Sequence, residues 1–472
     1  MPANSKFYQS RMLFVFSFLL LTTVAFSQSS DKLSDEDAFF IKKIYNTALQ
    51  EPVAHQWLDY LCNEIGGRLA GSANAAAAVT YTAQMLDTVG FSVSLQDCEV
   101  PHWERGAPEI VKIINSPSQG DIMLKALALG NSIGTGKNGI TAQVIEVRSL
   151  DDLEALGSKG LAGKIVFYNR PMDPTQIRTF NAYGGAVDQR VYGASRAAKY
   201  GAVACLVRSL TTRTDNFPHT GVQVYEEGVK QIPSLAISTI AADKLSEMIA
   251  REKTTVFINN YSRMLSPKKS HNVIGEWKGG KHADELIIVG GHLDSWDVGQ
   301  GAHDDGSGCV QAMDALRILK ACGYTPKRTL RTVLFMNEEN GLGGGLAYAK
   351  ISNDKKEFHL AAIESDAGGF SPRGFSCTAE EAVFTVRFKK LLESFSLLES
   401  YGLYLEPGGG GADINPLKSQ NGLLIGLRPD SQRYFDYHHT EIDTFDKINQ
   451  RELQLGAAAM ASLVYLIDKY GL

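Results

Sequence analysis

Past residue 268 the chain alternates apolar runs of strand length with helical periods, and this rhythm restricts its fold more than any other feature. "DELIIVGG" (residues 284–291) is a continuous apolar run, residues 306–321 carry a helical period, and "TLRTVLFMN", "GGGLAYAKI" and "HLAAIESDA" continue the alternation. Strand, helix and strand in this order predict an α/β fold with a mostly parallel sheet wrapped by helices. In such sheets ligands gather outside the carboxyl ends of the strands. Acids and imidazoles stand at those ends: His292 and Asp294 close the first strand, Glu338 and Glu339 the second, Asp366 the third.

The chain before this alternation reads differently. Lys6 and Arg11 precede the apolar run "MLFVFSFLLLTTVAF" (residues 12–26), and "AFS" ahead of Gln28 supplies small residues for cleavage. That pattern predicts a signal peptide at residues 1–27, hence export to a periplasmic, extracellular or lysosomal space. The alternative is an N-terminal anchor, for which the run is shorter than the about 20 residues a span needs. The thirteen residues "LGAAAMASLVYLI" (455–467) are also too few and predict a buried core helix. No stable membrane span is expected after cleavage. From about residue 35 to 91 the pattern is helical, with a breaker at "GGRLAGS", whereas residues 105–268 hold short β-branched runs ("TAQVIEV", "GKIVFYNRP", "IPSLAIS") and predict an inserted α/β unit.

Charge and cysteine use exclude some partners. The net charge is −5 without a basic stripe, which argues against nucleic acid. Six cysteines are spread without a CxxC, so a cysteine zinc site has no support, and any disulfide pairing is unreadable from spacing.

The stretch "GGHLDSWDVGQGAHDDGSG" (residues 290–308) packs two histidines and four aspartates behind an apolar strand. Left unpaired and desolvated, such groups each cost several kcal/mol. A cation removes the conflict. Histidine and carboxylate without cysteine favour zinc, and the five candidates His292, Asp304, Glu339, Asp366 and His439 suit two ions sharing one bridging carboxylate. Paired ions about 3.5 to 4 Å apart activate a water and polarise a carbonyl together. Glu338, beside a ligand, is the candidate general base. Asp294, two residues beyond His292 in an extended segment, faces the same way and is expected to accept the proton of its second ring nitrogen.

"GGHLDSWDVGQGAHDD", "NEENGLGG", "ESDAGG" and "YHHTEIDT" resemble the successive metal motifs of the co-catalytic zinc aminopeptidase family. The unbroken "GHLDSWDVGQGA" most resembles its carboxypeptidase Q branch. The resemblance implies two Zn2+ ions, with His292 and Asp366 on one, Glu339 and His439 on the other, and Asp304 bridging. It also implies Glu338 as base, Asp294 as orienting residue, and a cis peptide bond between Asp304 and Asp305. Residues 105–268 are similar to a protease-associated domain and include "PHTG" (218–221); residues 28–104 and 269–472 form the peptidase domain around it. The implied enzyme is a secreted or lysosomal homodimeric metallopeptidase acting as an exopeptidase or dipeptidase on dipeptides or short peptides with free termini.

Several positions keep two readings. His303 is a rival ligand or a pocket residue, and the tandem His438-His439 is resolved toward His439 because the family ligand precedes a small hydroxyl residue, here Thr440. Asp305 reads as a turn or capping residue, Asp297 as loop wall, and Trp296 as core or pocket lining. Asp413, in the glycine-rich "EPGGGGADINPL", either holds a substrate amino group or sits in a plain loop. Arg428 pairs with a free carboxylate or makes a surface salt bridge, and His219 either reaches over the crevice or does not. Two other functions remain open, a non-catalytic binding protein on the same scaffold and a single-zinc glutaminyl cyclase-type acyltransferase.

Overall fold

The computed structural model describes residues 31–116 and 120–472, so the expected signal peptide lies outside the described residues. Within them the strands form two eight-stranded sheets.

The first sheet runs in the order Ser92–Glu104, Arg263–Trp277, Arg328–Phe335, His282–His292, Phe358–Glu364, Leu423–Pro429, Pro372–Thr378, Tyr404–Pro407. Its four central strands, from Arg328–Phe335 to Leu423–Pro429, are parallel neighbours. Antiparallel pairs flank them on both sides, and the last pair, Pro372–Thr378 with Tyr404–Pro407, is parallel again, so the sheet is mixed with four of its seven pairs parallel. Helices Ser307–Ala321 and Gly343–Asp354 supply the crossovers that parallel pairing demands. Arg328–Phe335 is buried at all eight positions, as expected of a strand covered on both faces.

Helix Gln450–Tyr470 contains the apolar run of residues 455–467 and is buried along most of its length, with Asn449 capping its first turn through the Glu452 amide. It is a core helix. No helix among the described residues is long and apolar enough to cross a membrane.

The second sheet is built from strands between Ile110 and Asn259, in the order Gly120–Leu124, Ile110–Ser116, Thr255–Asn259, Ile140–Val147, Ile165–Tyr168, Ala204–Arg208, Ser234–Ile237, Ala126–Ala128. It has apolar clusters of its own, separate from the core of the first sheet. The chain leaves the first sheet along Ser92–Glu104 and returns along Arg263–Trp277, which pair antiparallel with Glu104 opposite Arg263. The returning strand therefore passes straight through residue 268, where the sequence pattern changes. All six cysteines are buried and unpaired.

Candidate active site

Topology brings the charged strand ends together. His292 ends its strand opposite Phe335, and Glu338 and Glu339 lie three and four residues past the end of that neighbour. Asp366 lies two residues past the end of Phe358–Glu364. His438 and His439 follow Leu423–Pro429 after the short helix Tyr434–Tyr437. Because these four strands are parallel neighbours, all these residues emerge on one edge.

The five candidate ligands meet around Asp304. His292 Nε2 stands 3.2 Å from Asp304 Oδ1 and 3.5 Å from Asp366 Oδ1. His439 Nε2 stands 3.2 Å from Asp304 Oδ2 and 3.1 Å from Glu339 Oε2. Two groups with metal-ligand spacing result, His292–Asp304–Asp366 and Asp304–His438–His439, and they share Asp304. Asp304 Oδ2 is buried with no hydrogen-bond partner among the described residues, although His439 Nε2 stands 3.2 Å away. A buried carboxylate oxygen with no donor is a seat for a cation. The Asp304-Asp305 peptide bond is cis.

Electrostatics express the same crowding. Burial would raise the Asp304 carboxyl, but His292 and His439 hold it well below the usual carboxylate range. Burial opposes charging of His439, yet Glu339 and Asp304 push it up to about 9. Glu339 is pushed up to about 7 by burial and by Asp304, against the pull of His439. Glu338 is half-buried, and burial together with Asp366, Glu339 and Asp304 raises it well above the usual range against the pull of His292.

Asp294 acts elsewhere than its spacing predicts. His292 Nδ1 lies 2.9 Å from the Asp294 main-chain carbonyl, whereas the Asp294 carboxylate is 3.7 Å away. The carbonyl is therefore the ring's acceptor. The carboxylate instead accepts the amides of Asn337 at 2.7 Å, Glu338 at 3.0 Å and Glu339 at 3.4 Å. Asp294 thus positions the loop carrying the candidate base and a candidate ligand, because the adjacent parallel strand ends offer it three N–H groups.

Four supporting residues were not singled out from the sequence. Arg68, fully buried, donates to the carbonyls of Leu293 (2.6 Å), Gln300 (2.8 Å) and Gly301 (3.0 Å), fixing the loop between strand and helix. Asp443 accepts the amides of His303 (2.8 Å) and Asp304 (3.1 Å); burial, outweighing those amides, pushes its carboxyl up to about 7. Thr220 meets His439 through its backbone, and Arg190 Nη1 lies 3.5 Å from His439 Nδ1. Only the "PHTG" motif hinted at these contacts.

The ambiguous positions also find places. His303 stacks on Phe370 (4.1 Å) and Tyr437 (5.3 Å), accepts the Gly369 amide at Nδ1 and lies in neither ligand group. His438 stacks on His439 with ring centres 3.5 Å apart and reaches within 3.7 Å of Asp304 Oδ2. Asp305 accepts the Gly308 amide at the start of Ser307–Ala321, a capping role, and the His292 amide as well. Trp296 is buried, its ring 5.6 Å from that of His439, and its amide donates to Glu339 Oε1 at 3.2 Å. Asp297 pairs with Arg105 at 2.7 Å. Asp413 is fully buried with neither carboxylate oxygen bonded. His219 is buried with both ring nitrogens unpaired, next to Thr220, which does reach the crevice.

Residues 272–464 match the model of peptidase family M28. Bovine (Bos taurus) carboxypeptidase Q is 35% identical over 418 residues, covering 88% of this chain and 85% of the relative. The chain belongs to peptidase family M28. Its membership makes it a metallopeptidase. A solved M28 peptidase precursor from Shewanella amazonensis SB2B shares the fold with a TM-score of 0.86 and 32% identity, covering 92% of this chain and 97% of that one. A zinc aminopeptidase from Bacillus subtilis, BSAP, shares the fold more loosely, with a TM-score of 0.63, 18% identity and coverage of 87% and 94%.

Proposed function

We propose that this M28 peptidase is an exported two-zinc exopeptidase that hydrolyses dipeptides or short peptides with free termini. The observation that carries the reading is Asp304, whose two oxygens face two separate sets of ligands, His292 with Asp366 and His439 with Glu339. The donor set of imidazole and carboxylate without thiolate fits zinc, and the orphaned Asp304 Oδ2 fits a bridging position. Bound there, two zinc ions supply Lewis-acid polarisation of the scissile carbonyl and acidify a water.

The protein's own groups do the rest. Glu338 has no hydrogen bond to its carboxylate among the described residues and stands half-buried beside the ligands. It takes a proton from the attacking water and returns it to the departing amine. Asp294 holds the Glu338 amide at 3.0 Å and so fixes where that carboxylate starts. The Asp294 carbonyl and the Thr220 carbonyl accept the Nδ1 protons of His292 and His439, leaving each Nε2 free to ligate.

The second sheet serves as a protease-associated domain whose Thr220 segment covers the crevice. The N-terminal pattern supports export, and the family resemblance supports a homodimer. Elemental analysis of purified protein joined to a dipeptide panel tests the reading. Two zinc ions per chain and hydrolysis that disappears on chelation are expected. Undiminished hydrolysis in metal-free protein overturns it, and one metal with pyroglutamate formation favours the cyclase alternative.

A further inference from the structure

A cavity of about 360 Å³ opens between the inserted unit and the glycine-rich loop. Ala367, the residue after the candidate ligand Asp366, lines it, so the cavity adjoins the ligand cluster. Phe180 and Asn181 form the wall contributed by the insert. Arg178 and Glu406 join the two walls by a bidentate ion pair at 2.9 and 2.8 Å, which cancels their charges.

Arg428 is the charged group of this lining without a counter-ion. Its neighbours Arg373 and Arg433 pair with Asp430 and Glu452, but no carboxylate among the described residues pairs with Arg428. It is half-buried; its Nε donates to Ser376 Oγ at 2.7 Å and its Nη2 to the Gly409 carbonyl at 2.6 Å. Those two bonds fix the plane of the guanidinium and leave Nη1 without a partner among the described residues. A surface salt bridge, the ordinary reading of such an arginine, is absent among the described residues. An oriented, partly desolvated guanidinium with free donors matches the two oxygens of a carboxylate.

We propose that Arg428 binds the free α-carboxylate of the peptide's C-terminal residue in this cavity, so that the enzyme selects its substrates by their C-terminus. The inference rests on the exopeptidase reading and names the end of the substrate that is recognised. Pairing the carboxylate with Arg428 also removes the cost of leaving that charge uncompensated in a half-buried site.

Calorimetric titration of Ala-Ala and of its C-terminal amide into zinc-loaded Glu338→Gln protein reads binding without turnover. The free acid is expected to bind about 10- to 100-fold more tightly than the amide, the range of hydrogen bonds to a charged group. Arg428→Gln keeps a donor for the Gly409 carbonyl but loses the charge; it should weaken the acid alone and erase the difference. Arg428→Lys should restore part of it. Equal affinity of acid and amide, or equal weakening of both by Arg428→Gln, overturns the proposal, the second result marking a role confined to holding the loop. Ala-Glu amide, whose only carboxylate is in the side chain, should bind like Ala-Ala amide. Arg428-dependent binding as tight as that of Ala-Ala would move the recognition to the side chain and overturn the assignment. If wild-type protein cleaves no dipeptide, the exopeptidase reading fails, while the acid-to-amide ratio still decides the role of Arg428.

Discussion

Thr220 and His439 bond to each other twice: the Thr220 amide donates to the His439 carbonyl at 3.0 Å, and the Thr220 carbonyl lies 3.2 Å from His439 Nδ1. A carbonyl only accepts, so Nδ1 carries the ring proton and Nε2 turns its lone pair toward Asp304 and Glu339. Arg190 Nη1, 3.5 Å from the same nitrogen and also a donor, cannot bond to it in that tautomer. His439 itself sits at φ 64°, a conformation such contacts must hold in place. Through this pair the inserted unit sets a candidate metal ligand of the other sheet.

Disturbing Thr220 from the next residue tests that link. Gly221 has φ 136°, and a Cβ there would meet Arg190 Nη1 at 2.4 Å. Gly221→Ala is expected to lower metal affinity or kcat by about 10- to 100-fold, the usual effect of displacing a ligand's supporting partner. Competition with a chelator dye measures the affinity.

Metal stoichiometry separates the roles of the carboxylates. Asp304→Ala removes the group common to both ligand sets and should leave less than one tightly held ion per chain, whereas Asp366→Ala should retain about one. Elemental analysis after exhaustive dialysis distinguishes them, and equal metal loss in both variants would refute the bridging role.

Glu338→Gln keeps size and hydrogen-bonding capacity but cannot take a proton. Dipeptide hydrolysis should fall by about 10²- to 10⁴-fold with metal content unchanged. Steady-state kinetics beside metal analysis checks both halves.

Arg68 offers a stability test remote from the chemistry. Arg68→Met leaves the Leu293, Gln300 and Gly301 carbonyls without their donors. A loss of about 3 kcal/mol is expected, at the large end for a single substitution, together with weakened metal retention. Denaturant midpoints give the first quantity.

His359 makes stability depend on pH. Burial lowers it from 6.5 to about 4, although its hydrogen bond to Gln420 works in the opposite direction. Between pH 4 and 6.5 the unfolded chain binds the proton that the folded chain refuses, so stability falls as pH drops through this window and is complete above it. The contribution is about 3 kcal/mol across the window. His359→Gln should flatten the stability-against-pH curve there by about one proton's slope, as read from urea titrations at several pH values.

The alternation after residue 268 determined the parallel centre of the first sheet, and strand ends determined where His292, Glu338, Glu339 and Asp366 stand, because strand period and strand termination are local properties of the chain. The buried helix of residues 450–470 was legible for the same reason. The acceptors of ring protons and loop amides were not. Spacing put the Asp294 carboxylate on His292, while the folded chain gives that ring a main-chain carbonyl and turns the carboxylate to the amides of residues 337–339. Arg68 reaches carbonyls more than 220 residues away, and Thr220 reaches a histidine 219 residues away. Such contacts satisfy backbone groups left open near the ends of strands, and which distant group arrives there depends on tertiary packing, which no local pattern encodes.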